Sequence, residues 1–121
     1  MISSEKLSAW ADKYNNPIND WNMIAERLLS IPMAHEMIGF YTVADQTDNT
    51  LKVMRSYQYY AASKISRRVS EMKWDDKSIY GGYVWHTTGS GKTLTSYKAT
   101  RNLLMDIPAI DKAIFLIDRK D

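Results

Sequence analysis

Gly82-Tyr83-Val84-Trp85-His86-Thr87-Thr88-Gly89-Ser90-Gly91-Lys92-Thr93-Leu94-Thr95-Ser96 is the stretch that decides how this chain is read. Its centre, Gly89-Ser90-Gly91-Lys92-Thr93, carries the residue types that hold the phosphates of ATP or GTP. Glycines at 89 and 91 let the backbone adopt conformations closed to other residues and come close to an anion. Successive backbone N–H groups then turn inward around the phosphates, and the start of the following helix adds positive potential. Lys92 is placed to reach the β- and γ-phosphates, which makes it the catalytic candidate, and the Thr93 hydroxyl to bind Mg²⁺. Thr88, Gly89, Ser90 and Gly91 complete the nucleotide-binding set. The full pattern G-x-x-x-x-G-K-[ST] asks for glycine where this chain has His86. The bland alternative is a glycine-rich turn with an exposed lysine.

Working outward, residues 79–85 form a strand candidate that Gly81 and Gly82 weaken. Residues 91–105 read as a helix that Pro108 stops. Residues 113–117, Ala-Ile-Phe-Leu-Ile, are an uninterrupted apolar run of the kind found in buried parallel strands. The order strand, glycine loop, helix, strand predicts a βαβ unit with a right-handed crossover. Upstream, residues 57–72 predict a helix with Tyr57, Tyr60, Ala61, Ile65 and Val69 as its apolar positions. Its other face is basic, with Lys64, Arg67, Arg68 and Lys73; it could touch DNA phosphates, but a solvated face is the expected role. The polar cluster at residues 45–50 divides the chain. Before it, Ser3 or Ser4 would cap a helix carrying Leu7, Trp10 and Ala11, and Asn16-Pro17 would break it. A helix follows over residues 18–29, with Trp21, Ile24, Ala25 and Leu28 on one face, and Pro32 opens a short one through Met37 and Ile38. Trp10, Tyr14 and Trp21 are expected in the core or an interface.

Composition narrows the function classes. A length of 121 residues is one small domain or a piece of a larger one, and 45% hydrophobic residues are enough for a core. Sixteen basic against fourteen acidic residues leave a net charge of +2, too mild to mark a nucleic-acid binder alone. The absence of cysteine excludes disulfides and thiolate metal sites. No leader pattern and no membrane-length apolar run is present, so a cytoplasmic location is expected. His35-Glu36 begins like a zinc-protease motif, but Gly39 stands at the second histidine position. Residues 45–49 lack the glycine and closing glutamate of a calcium loop. Ile114 to Asp118, four apolar residues then an acid, admits either a Mg²⁺-binding strand end or simply a strand followed by a surface loop.

The string from Trp85-His86-Thr87 into Gly89-Ser90-Gly91-Lys92-Thr93 resembles the first motor motif of the restriction (R) subunit of type I restriction–modification enzymes, where the histidine is the family's own variant. Met54-Arg55-Ser56-Tyr57-Gln58-Tyr59-Tyr60-Ala61 is similar to that family's Arg-x-Tyr-Gln segment, the counterpart of a helicase Q motif. Ile114-Phe115-Leu116-Ile117-Asp118-Arg119-Lys120-Asp121 is similar to its next motor motif. The resemblance implies an α/β fold: a helical linker over residues 1–45, joining nuclease and motor domains, then the opening βαβ of an incomplete RecA-like, superfamily-two helicase domain over residues 46–121, with the phosphate loop at 86–93. It implies ATP and Mg²⁺ as cofactors, Gln58 as an adenine contact, and Asp118 to Asp121 facing nucleotide or DNA. It further implies a bacterial or archaeal parent that translocates and cuts double-stranded DNA, with methyltransferase and specificity subunits as partners. No Asp-Glu-x-His motif, second motor domain or nuclease constellation occurs in these residues, so the chain alone is expected to bind nucleotide with negligible hydrolysis. The rivals are another superfamily-two helicase or P-loop ATPase, and a non-catalytic interaction module.

Overall fold

The computed structural model describes residues 10–72 and 81–117. The order of elements is α1 (Trp21–Arg27), α2 (Ile31–Phe40), β1 (Thr42–Asp45), β2 (Thr50–Val53), α3 (Ser56–Ser70) and α4 (Lys92–Asp106). Helices and a small antiparallel sheet make it α/β. Each helix start has a local cause. Asp20 caps α1, its carboxylate accepting from the N–H of Asn22 at 2.8 Å and Met23 at 3.3 Å. Pro32 sits in the first turn of α2, where its missing N–H costs nothing. The Gln58 side chain turns back to accept from the Arg55 N–H at 2.9 Å, closing the start of α3. Gly91, at φ +75°, caps α4. That helix ends at Ile107, which is extended because it precedes Pro108.

The polar cluster is the turn of a hairpin. β1 pairs antiparallel with β2, Thr42 opposite Val53 and Asp45 opposite Thr50. Asn49 takes a left-handed φ of 53° in the turn, which asparagine tolerates. Asp45 accepts from the Thr47 N–H, and Lys52 ties it to Asp48 across the turn. These hydrogen bonds, the Lys52 ammonium's first, hold the Asp45 carboxyl at about 2.

The core gathers around α3. Met37 of α2, Tyr41, Met54, Tyr59 and Ala62 of α3, and Ala99 of α4 are buried together, with Trp10, Leu28, Met33, Tyr60 and Ile65 packed on the margin. Tyr41 and Tyr59 meet edge to face at 4.7 Å. Burial, then the nearby Glu36 carboxylate that accepts from its hydroxyl, pushes Tyr59 up to about 12. The predicted helices at 18–29, 57–72 and 91–105 are present with shifted ends. The apolar face read into the first of them is not a core face: Trp21 is exposed and only Leu28 reaches the core. Trp10 packs inward as expected, whereas Tyr14 is exposed.

The βαβ expectation needs correction among the described residues. Its helix is α4, but residues 81–85 and 113–117 carry no sheet pairing, and the only sheet described is the hairpin. Ile114 is 91% and Leu116 94% exposed. Sequence pattern makes a segment strand-competent, but a parallel strand forms only when neighbours take up its N–H and C=O groups and cover both faces. No parallel pair exists among these residues for a crossover hand to describe. The helix expected near Leu7 and residues 118–121 lie outside the described residues; Ala11 instead bridges Pro17.

Candidate nucleotide-binding site

The glycine loop lies against the start of α3. Gly89 and Gly91 have φ of +74° and +75°, the left-handed region that favours glycine. At Gly91 there is a second reason for glycine. A Cβ built there would stand 2.6 Å from Gln58 Nε2, whereas one at Gly89 would meet nothing within 4 Å. Gln58 itself is buried. Its Oε1 accepts from Arg55 N, and its Nε2 donates to the carbonyls of Ser90 at 3.5 Å and Gly91 at 3.4 Å. Tyr57 adds a shorter bond, its hydroxyl donating to Ser90 O at 2.9 Å. Two consecutive residues of α3 therefore hold the loop by its main chain.

The loop also braces itself. The Ser90 N–H and hydroxyl both donate to Thr87 O, at 3.3 and 2.7 Å. His86 Nδ1 lies 2.9 Å from the Ser90 hydroxyl oxygen. Its ring meets Tyr57 edge-on at 5.9 Å, and its Nε2 is buried without a partner among the described residues. Thr88, Gly89, Lys92 and Thr93 are exposed, with Lys92 and Thr93 as the first two residues of α4. No acidic residue occupies that first turn, so the positive end of the helix is not offset locally.

A cleft of about 640 Å³ opens beside the loop, lined by Asn15, Arg55, Tyr57, Trp85, His86 and residues 87–90. A second, of about 650 Å³, runs between α3 and residues 81–85, and the two share Asn15, Tyr57 and Trp85. The structure thus brings Gln58 onto the loop that also carries Thr88, Gly89, Ser90, Gly91, Lys92 and Thr93. Arg55, Tyr57 and Asn15 are not among the site residues that the sequence predicts. Helical spacing puts Tyr57 on an apolar face, although the Arg-x-Tyr-Gln string already contains both it and Arg55. The basic face is exposed, as a solvated face would be, with Arg68 donating to Gly81 O and Arg67 near Glu71; Lys73 lies outside the described residues. His35 is exposed on α2, and Glu36 serves Tyr59.

A sequence profile of the SWI2/SNF2 ATPases matches residues 57–121, from the brace residues of α3 through the loop and α4. The chain belongs to this ATPase family. Several proteins it resembles are endonuclease subunits of type I restriction enzymes. An endonuclease subunit of a type I restriction enzyme from Staphylococcus saprophyticus, SsaAORF53P, is 44% identical over 120 residues, 99% of this chain. Another from Staphylococcus aureus strain COL, SauCOLORF180P, is 44% identical over 112 residues, 93% of this chain. The C-terminal part of the putative type I endonuclease subunit MpnIIP, from Mycoplasma pneumoniae, is 37% identical over 116 residues and is covered over 55% of its length. The chain spans only 12% and 11% of the two staphylococcal subunits. No solved structure gives a significant match. The resemblance to type I restriction subunits read from the motifs therefore holds over nearly the whole of this SWI2/SNF2-family chain. Among the described residues, no helix is long and apolar enough to cross a membrane.

Proposed function

We propose that this chain is the ATP-binding segment of a type I restriction motor subunit, with residues 86–93 as its phosphate-binding P-loop. The observation that carries the reading is the loop itself: two left-handed glycines end in an α-helix whose first residues are Lys92 and Thr93. Backbone N–H groups at an open helix start, flanked by an exposed lysine, attract phosphate. Thr88, Gly89, Ser90 and Gly91 wrap the phosphates, and Lys92 neutralises the β- and γ-phosphates. Mg²⁺ fits the same place, because it needs few protein ligands besides phosphate oxygens and water. The exposed Thr93 hydroxyl supplies one. When bound, the ion would offset phosphate charge.

Gln58 has a double role in this reading. Its bonds to the Ser90 and Gly91 carbonyls are long, beyond the usual range for an N–H···O bond, whereas its bond to Arg55 N is short. An adenine acceptor would compete for Nε2 without disturbing the start of α3. The parent would be a RecA-like, ATP-driven translocase that pumps and cuts double-stranded DNA in the bacterial cytoplasm. Methyltransferase and specificity subunits would be its partners. Residues 1–45 would then be the linker and 46–121 the opening of the motor domain, with the hairpin joining the two.

Titration calorimetry with ATP and Mg²⁺ tests the claim. The wild-type chain should bind saturably, and Lys92→Ala should weaken binding by about ten- to a hundredfold, the worth of a hydrogen bond to a charged group. The exposed Lys92 side chain takes no part in the core, so helical circular dichroism should not change. A folded wild-type chain that takes up no ATP, or a mutant that binds equally well, sinks the reading.

A further inference from the structure

The P-loop pattern asks for glycine at position 86, and this chain places an imidazole there. The hydrogen bonds around Ser90 show what the ring does. The Ser90 hydroxyl oxygen lies 2.7 Å from the Thr87 carbonyl and 2.9 Å from His86 Nδ1. A hydroxyl has one proton, and a carbonyl has none to give. The serine proton therefore points at Thr87 O, and the oxygen must accept from the ring. His86 Nδ1 consequently carries a proton. In the neutral ring its Nε2, buried without a partner among the described residues, is then a bare nitrogen rather than a stranded N–H.

The Ser90 carbonyl is held independently. Tyr57 donates to it at 2.9 Å and Gln58 at 3.5 Å, both from α3. Tyr57 also flanks the imidazole edge-on. Ser90 is thus fixed at its main chain by α3 and at its side chain by His86, between the two left-handed glycines that shape the loop.

We propose that His86 is a positioning residue of the loop: its Nδ1–H holds Ser90 and keeps residues 89–91 in the form that receives phosphate. The phosphate half of this claim rests on the ATP-binding reading above; the hold on Ser90 does not.

Long-range ¹H–¹⁵N correlation of the imidazoles in the full chain tests the hold directly. With only two histidines, His35 and His86, assignment is simple. His86 should carry its proton on Nδ1, and Ser90→Ala should shift it toward the Nε2–H form that free imidazole side chains prefer. An Nε2–H tautomer in the wild-type chain overturns the proposal. Rescue tests the positioning. His86→Ala should speed exchange of the Ser90 amide and weaken ATP binding about fivefold, one neutral hydrogen bond. His86→Asn, whose Nδ2 can occupy the place of Nδ1, should return both to within about twofold, a residual within the spread of such bonds. His86→Gln, whose amide lies where Nε2 was, should not. Equal losses in the alanine and asparagine variants overturn the proposal. A wild-type chain that binds no ATP defeats the nucleotide reading alone, because the tautomer and the Ser90 amide still decide the role of His86.

Discussion

At the scale of single residues, the two loop glycines answer to different constraints, and the difference is measurable. Gly89 and Gly91 share a left-handed φ, which costs any L-residue about 1–2 kcal/mol. Only at Gly91 would a Cβ also collide with a neighbour, Gln58 Nε2 at 2.6 Å. Gln58 Nε2, the end of a flexible side chain, would yield by giving up its long contacts to Ser90 O and Gly91 O, while Tyr57 keeps its hold on Ser90. Gly91→Ala should therefore cost about 2 kcal/mol, strain plus the weak contacts displaced, against about 1 for Gly89→Ala. Urea denaturation of the two variants checks the ordering, and equal losses would refute the contact. The left-handed glycines and the helix that starts at Lys92 were legible in the sequence because local backbone chemistry dictates them. The roles of Tyr57 and His86 were not. A tyrosine at helical spacing reads as core, and its bond to Ser90 O spans 33 positions of sequence.

At the scale of elements, helices were easier to read than strands. Spacing and caps mark α3 and α4 locally, whereas β1 and β2 have four residues each, too short for an alternation to show. Periodicity also said nothing about a polar face being buried. α4 turns Thr95, Lys98, Ala99 and Asn102 inward. Lys98 is only 1% exposed, and its ammonium donates to Thr42 O of β1 at 3.3 Å, tying helix to hairpin. Burial, followed by the charge of Arg101, lowers its pKa from the ordinary 10.5. The sign follows from proton counting. Between the lowered folded value and 10.5 the unfolded chain binds more protons, so this group's contribution to stability rises with pH. Below that window the cost of burying the cation is present in full. Lys98→Met keeps the length and removes the charge, and should stabilise the chain at neutral pH by about 1 kcal/mol. The advantage should shrink as pH approaches 10.5. Comparing the two proteins at each pH cancels the opposing effect of Tyr41 and Tyr59, whose pKa values are raised. A methionine variant less stable at neutral pH would show that the bond to Thr42 outweighs the burial.

At the scale of the whole molecule, the apolar run at 113–117 is where sequence and structure part most instructively. Its hydrophobicity is legible in the sequence, and its partner is not, because a strand's neighbours are set by the rest of a sheet. Ile114 and Leu116 face outward, Phe115 and Ile117 are exposed as well, and Tyr83 and Trp85 are exposed ahead of the loop. Strand-competent apolar residues without a sheet are a template for pairing with another chain. The chain should therefore associate as its concentration rises, and sedimentation velocity should show the growth of larger species. Ile114→Lys with Leu116→Lys should hold it monomeric, since charges on an edge oppose pairing. Neither residue belongs to the core around α3, so helical circular dichroism and ATP binding should survive the double change. Association that persists in the lysine variant would place the contact elsewhere, with the exposed Trp21 and Ile31 of the first two helices next to test. A monomeric wild-type chain would mean that residues 113–117 are covered in solution. Either result decides whether the exposed run at 113–117 is a surface for association.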